Sequence, residues 1–449
     1  MKKRSLTRRI VLALAFVAVA GVLVLAWYAT RPGPFAFAGG KAVALDAYDA
    51  HPTGVPADFS ANDPITRGRY LADAADCRSC HTTEGGRPFA GGRAFKTPFG
   101  TLYSPNITPD TQTGIGAWTD SDFLTAVHRG VSRDGKRLYP AFPYAAYTYI
   151  TDEDVLAIKA YLSTVAPVNQ AANANDLAFP FNQRWLMSIW SMLFNPNERF
   201  MPIAEQSSEW NRGAYLVEAL AHCGDCHTPR NLLQALDNKH KFAGGEAEGW
   251  RAYNITSNPT SGVGAWSETE LSQYLSTGHA AGRGTASGPM AEAVDLSFSQ
   301  LTPSDIRAMV VYLRSIPAVE TSELSIPKNV AASADPKQDV VADSASLGRH
   351  IFAGACASCH AWTGVSPLSG RATLTGTRAV NDPSAMNIAQ IVLLGSKHQT
   401  GGDVVLMPAF GAAYTDDEIA AVTNYVTARF GTTGSAMTAA VVRKLRETQ

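Results

Sequence analysis

Six cysteines occur in the 449 residues, and every one lies in the same pattern: Cys77-Arg-Ser-Cys80-His81, Cys223-Gly-Asp-Cys226-His227 and Cys356-Ala-Ser-Cys359-His360. Two thiols separated by two residues are spaced so that each can add to one vinyl group of a haem. The histidine directly after them is then placed to ligate the iron from the proximal side. A disulfide between such close cysteines would close a small strained ring and leave the three histidines unexplained. Zinc needs four ligands per site, and no second cysteine pair lies near any of these. The chemistry expected is one-electron transfer through three covalently bound haem c groups, with His81, His227 and His360 as proximal ligands.

Methionine sulfur is the usual sixth ligand of a low-spin cytochrome c and raises its reduction potential. Twelve residues after Trp118 and Trp266 stand Gly130 and Gly278, and Gly395 takes that place in the third copy. Twelve residues beyond Gly278 is Met290, and twelve beyond Gly395 is Met407, followed by Pro408. These two are the expected sixth ligands; the plainer role for each is filling gaps in a core. The same count from Gly130 reaches Phe142, which cannot ligate iron. The first haem is therefore expected to be five-coordinate or to recruit another residue: His128 first, otherwise Met187, Met192 or Met201. Imidazole there would lower that haem's potential. The plainer role for His128 is to end a surface helix, where positive charge suits the dipole. His51, His222, His240, His279, His350 and His398 read as surface or packing residues.

The elements that must position these groups are written three times. A glycine opens a helix pattern ahead of each motif in Arg67-Gly68-Arg69-Tyr70, Arg212-Gly213-Ala214-Tyr215 and Leu347-Gly348-Arg349-His350. Asn106-Ile107-Thr108 and Gly114-Ile-Gly-Ala-Trp118 recur as Asn254-Ile255-Thr256 and Gly262-Val-Gly-Ala-Trp266. A closing helix starts at each of Thr151, Thr302 and Thr415, with acids in its first turn as a helix N-terminus favours. Tyr161, Tyr312 and Tyr425 follow ten residues on. The fold class expected is all-α: three tandem class I cytochrome c domains at 60–166, 207–317 and 345–433, behind an N-terminal membrane segment.

That segment, residues 1–31, opens with five basic residues and continues with the uncharged run Ile10–Ala29, closed by Trp27 and Tyr28. Twenty helical residues span about 30 Å, the hydrocarbon thickness of a bilayer. The positive-inside rule puts residue 1 in the cytoplasm, so the expectation is a single anchor in the bacterial inner membrane with the haem domains in the periplasm. A cleaved signal peptide, with a small-x-small site at Ala36-Phe37-Ala38, is the alternative. Net charge is −1 overall, no footprint for nucleic acid. Stretches at 166–178 and 317–345 read as linkers. Residues 179–200 hold an apolar helix whose hydrophobic side chains cover nearly its whole circumference, expected to be buried between domains one and two, with docking to a partner subunit or the membrane surface as the alternative. The C-terminal Val441–Arg446 is too short to span a bilayer and is expected to make a surface contact at most.

Leu138-Tyr-Pro-Ala-Phe-Pro-Tyr144, Phe181-Asn-Gln-Arg-Trp-Leu-Met187, Gly224-Asp-Cys-His-Thr-Pro-Arg230, Ala286-Ser-Gly-Pro-Met290 and Val405-Leu-Met-Pro-Ala-Phe410 complete the pattern. With the three motifs, they resemble the trihaem cytochrome c subunits of bacterial membrane-bound dehydrogenases, over about residues 60 to 433. Relatives serve alcohol, gluconate, sorbitol and fructose dehydrogenases, and others accompany molybdenum hydroxylases. The resemblance implies an electron-transfer subunit that accepts electrons from a flavin- or molybdenum-dependent catalytic subunit. It would pass them to ubiquinone or a terminal oxidase. Many alcohol and gluconate dehydrogenase members have methionine where this chain has Phe142, and members that lose a signal peptide differ at the N-terminus. Both departures lean toward the molybdenum-hydroxylase branch. No flavin or nicotinamide fingerprint occurs in the chain itself. The rival reading is a self-contained haem enzyme, peroxidase-like or thiosulfate-oxidising, working at an open first haem.

Overall fold

The computed structural model describes residues 2–29, 63–321, 332, 346–400 and 403–447. His51, the Ala36-Phe37-Ala38 site and most of 317–345 lie outside these residues.

Helix α1 is Lys2–Ala29. The first unit then contains α2 (Pro64–Ala74), α3 (Cys77–His81), strands β1 (Ala94–Thr97) and β2 (Gly100–Tyr103), α4 (Asp120–Arg129), α5 (Tyr144–Tyr147) and α6 (Asp152–Leu162), with β3 (Asp176–Leu177) paired to β2. After α7 (Leu186–Phe194), the second unit runs α8 (Ser208–Tyr215), α9 (Gly224–His227), β4 (Gly245–Ala247), β5 (Trp250–Ala252), α10 (Glu268–Thr277), β6 (His279–Ala280), β7 (Gly284–Thr285), α11 (Pro289–Leu296) and α12 (Pro303–Ser315). The third contains α13 (Ser346–Ile351), α14 (Ala357–His360), α15 (Met386–Leu394), the hairpin β8 (Ser396–Thr400) and β9 (Asp403–Met407), α16 (Asp416–Phe430) and α17 (Ala439–Glu447). The chain is mainly helical, with small antiparallel pairs added.

One contact recurs in each unit and explains the repeated glycine. The opening helix crosses the closing helix so closely that a Cβ on Gly68, Gly213 or Gly348 would lie 1.8, 2.0 or 2.2 Å from the carbonyl oxygens of Ala157, Ala308 or Ala421. Tyr161, Tyr312 and Tyr425 flank the same three crossings. Thr151, Thr302 and Thr415 cap the closing helices by accepting from the backbone N–H of Asp154, Asp305 and Glu418. In the second and third units a π-helical turn, Leu216–Leu220 or Phe352–Cys356, follows the opening helix, and in the third it ends on the first cysteine of the motif.

The first and second units share one continuous apolar core, which includes Leu71, Val155, Leu216 and Val310. They meet by reciprocal bonds. Tyr70 donates to Asp305 at 2.6 Å, and Tyr215 donates to Asp154 at 2.6 Å. Each carboxylate also faces the arginine of its own unit, Arg67 for Asp154 and Arg212 for Asp305. The third unit has Leu347 and His350 in the places of that arginine and tyrosine, both exposed, and keeps separate cores around Phe352 and around Leu393 and Val442.

Several expectations need correction. Residues 166–178 are not a free linker, because Asn106 binds Val168 O, Asn175 accepts from Tyr103 N, and β3 joins the sheet. Helix α7 is not buried on all sides: Trp190 reaches Leu233 O and packs edge-on against Tyr144, while Trp185 and Met192 stand 61% and 74% exposed. The C-terminal segment does more than touch a surface. Helix α17 buries Val442 and Leu445, and Arg446 holds Asp416 and the carbonyl of Tyr414.

The membrane expectation also fails. Among the described residues, no helix is long and apolar enough to cross a membrane. The inner-membrane anchor, and the localisation that rested on it, are therefore not supported. The side chains of Trp27 and Tyr28 lie outside the described residues.

Candidate functional site

Short helices α3, α9 and α14 carry the three histidines. Each histidine is fixed the same way: Nδ1 lies 2.8 Å from Pro105 O for His81, 2.6 Å from Tyr253 O for His227 and 2.6 Å from Ala372 O for His360. A carbonyl can only accept, so the proton belongs on Nδ1, which leaves the Nε2 lone pair available to a metal. Burial depresses the pKa of all three rings and keeps them neutral, the form that ligates iron.

The cysteines are free thiols. Burial pushes Cys77 well up, Cys80, Cys223 and Cys226 to about 12, and Cys356 to about 11. Raised pKa values keep these thiols protonated, which disfavours their use as metal thiolates. Among the described residues, no group of three or more His, Cys, Asp or Glu could hold a metal ion. The residues present therefore fit a covalent haem at each motif.

The distal side is reached by a hairpin in each unit. Leu138 N donates to Gly130 O, and Ala286 N to Gly278 O. Four residues past those bonds come Phe142 and Met290, so the two occupy equivalent places. The third unit takes another route. Its longer hairpin pairs Ser396 directly with Met407 and sets Met407 O against Gly395. Equal sequence counts are thus met by different backbones. Met290 and Met407 are both half-buried.

His128 does not face that space. Its side chain is buried, with Nε2 3.0 Å from Ile150 O and Nδ1 3.6 Å from Asp152. Burial, with Arg199 beside the ring, holds its pKa down at about 4. Both nitrogens are directed to the start of α6. Phe142 packs edge-on against Tyr147, whose hydroxyl donates to Ala75 O and whose ring also meets His222. Met192 lies on the exposed face of α7.

Two sets of contacts not evident in the repeats join the sites. Arg93 donates to Ser79 O, inside the first motif, at 2.8 Å and to Glu292 at 2.6 Å, and lies 3.2 Å from Glu248. Glu292 follows Met290 by two residues on α11, which packs against α3. The helix that carries Met290 therefore abuts the first motif. On its other side, the third unit covers the second. Asn387 exchanges two hydrogen bonds with the backbone of Arg251, and His398 Nε2 lies 2.6 Å from Ala286 O. Arg93, Asn387 and His398 each belong to one copy alone, so no repeat marks them.

Two family models match: "Cytochrome c" over residues 65–166, and "Cytochrome C oxidase, cbb3-type, subunit III" over residues 343–426. The chain is 42% identical to a nicotinate dehydrogenase subunit of Pseudomonas putida, over 82% of this chain and 30% of that one. It is 39% identical to the fructose dehydrogenase cytochrome subunit of Gluconobacter japonicus, over 88% of this chain and 85% of that one. It is 38% identical to the gluconate 2-dehydrogenase cytochrome c subunit of Pantoea cypripedii, over 87% and 91%. With three fixed histidines beside paired thiols, and likeness over nearly the full length of two such subunits, the chain belongs to the family of cytochrome c subunits of dehydrogenases.

Proposed function

We propose that this chain is a three-domain, three-haem electron-transfer subunit that takes electrons from a catalytic dehydrogenase and delivers them to a quinone or a terminal oxidase. Cys77 and Cys80, Cys223 and Cys226, and Cys356 and Cys359 would hold the haems, and His81, His227 and His360 would bind the irons. Met290 and Met407 complete the second and third sites. Bound haem supplies reversible one-electron storage at the iron. The chain's own residues orient the imidazoles through Pro105, Tyr253 and Ala372, exclude water, and seat neighbouring sites together. The observation that carries the reading is the threefold Nδ1-to-carbonyl arrangement. The second site's contacts with both others make it the middle carrier.

The catalytic partner in this reading is a flavin- or molybdenum-dependent dehydrogenase subunit, and the likeness to subunits named for fructose, gluconate 2- and nicotinate dehydrogenases supports a dehydrogenase partner. Purification from native cells, with flavin and molybdenum assayed in the co-purifying material, tests this. A stoichiometric large subunit carrying either cofactor is expected; a trihaem protein without a partner would overturn it.

One observation favours a second reading at the first site. Phe142 takes the place of Met290, and His128 is committed to Ile150. The first haem is then five-coordinate and open to small ligands. Carbon monoxide binding by one-third of the reduced haem is expected, and none would show that another residue closes the site.

A further inference from the structure

Arg378 belongs to the third unit, between Ala372 and α15, yet the partners of its guanidinium lie in the second. Its Nη1 donates to Asn254 O at 3.0 Å, and Nη2 donates to Gly262 O. Its Cζ stands 5.9 Å from the ring centroids of both Tyr253 and Trp266. The backbone agrees, since Arg378 N donates to Arg283 O at 3.2 Å. Asn254 is the residue after Tyr253, whose carbonyl orients His227. The guanidinium therefore sits at the wall of the second site, one residue from the carbonyl that holds its proximal histidine.

Arg371 also crosses this boundary, donating to Thr277 O at 2.6 Å, and three further boundary arginines meet carboxylates: Arg93 faces Glu292 and Glu248, Arg212 faces Asp305, and Arg251 faces Asp382. Arg378 meets none among the described residues. Its neighbours are two carbonyls, two tyrosines and the like-charged Arg283. A shielded cation held only on carbonyl dipoles is costly unless an anion completes it. Guanidinium has five N–H donors, and the two carbonyls leave others for a carboxylate, which it matches bidentately. Among the described residues, no arginine takes the equivalent place on Asn106 and Gly114 of the first unit, so the feature is particular to the second site.

We propose that Arg378 is a cofactor-binding residue contributed across the unit boundary: it receives a propionate carboxylate of the haem attached at Cys223 and Cys226. The assignment rests on the three-haem reading. It makes the third unit part of the second haem's binding site and gives that haem a fixed positive neighbour. Such a charge disfavours the more positive ferric state, which raises the potential.

The test is spectroelectrochemical titration of the full-length holoprotein and its Arg378→Gln and Arg378→Lys variants, with the second haem identified as the wave displaced by Met290→His. In Arg378→Gln the second wave is expected to move to lower potential and to gain a pH dependence as its propionate titrates. The other two waves stay in place. Arg378→Lys, which keeps the charge, restores most of the shift. Three haems with an unmoved second wave in Arg378→Gln would overturn the assignment and leave Arg378 as a pin between units. An equal shift in the Lys variant would overturn it too. Fewer than three covalent haems in the wild-type protein would instead overturn the reading beneath it.

Discussion

Tyr70 of the first unit donates its hydroxyl to Asp305 of the second at 2.6 Å, and the same hydroxyl accepts from Thr302 N at 3.2 Å. Tyr215 repeats both bonds in the opposite direction, to Asp154 and from Thr151 N. This exchange is the self-complementary pattern of a twofold interface, made here within one chain. Tyr70→Phe leaves Thr302 N and one lone pair of a buried carboxylate without a partner. It should cost about 1–2 kcal/mol. Tyr215→Phe should cost a similar amount. Denaturant unfolding of the two variants checks this; unchanged midpoints would mean the hydroxyls do not hold the units together.

The helix crossings allow no side chain at the glycines. Gly213→Ala would place a Cβ 2.0 Å from Ala308 O, a backbone atom that cannot swing aside. Over-packing of this kind costs roughly 1–3 kcal/mol or more. Since α8 leads through the π turn into Cys223, the second haem should be incorporated poorly while the other two remain. Haem content and thermal stability of this variant report both effects.

His128 should govern acid sensitivity rather than haem spectra. Its folded pKa of about 4 lies below the ordinary histidine value, so the unfolded chain binds the proton more readily. The stability from keeping this ring neutral is fully present above about pH 6.5. It is lost progressively as the pH falls to about 4, up to about 3 kcal/mol in all. His128→Gln should flatten the pH dependence of stability in that window and leave the visible spectrum unchanged. A changed low-spin spectrum would restore His128 as an iron ligand.

Phe142→Met would supply a thioether at the place equivalent to Met290. The first haem should then become six-coordinate, lose its reaction with carbon monoxide and rise in potential. Met290→His or Met407→His should lower one wave each, because imidazole stabilises the ferric state more than thioether does. Flash-photolysis of the carbon monoxide complex, with a redox titration, distinguishes these outcomes.

What could be read in the sequence was whatever the chain repeats. The three Cys-x-x-Cys-His motifs, the opening glycines, the capping threonines and the tyrosines at Tyr161, Tyr312 and Tyr425 recur because each unit solves the same packing problem. Met290 and Phe142 were legible for that reason, their equivalence following from the spacing to Gly278 and Gly130. Arg93, Arg378 and Asn387 were not, since each acts across a boundary and occurs in one copy only. Helix α7 misled because an apolar circumference implies burial, whereas here Ile189 and Met192 stay exposed while Trp190 packs on Tyr144 and reaches Leu233 O. The contact of His128 Nε2 with Ile150 O was not legible either, because it joins two elements that no spacing brings together.

The most direct test of the central claim is the intact mass of the denatured holoprotein, expressed with its native haem-attachment machinery. Three covalent haems should remain on the chain, one on each cysteine pair. Replacement of both cysteines in any single motif by alanine should remove one haem and leave two. A wild-type chain carrying two haems or fewer, with all six cysteines intact, would contradict the account.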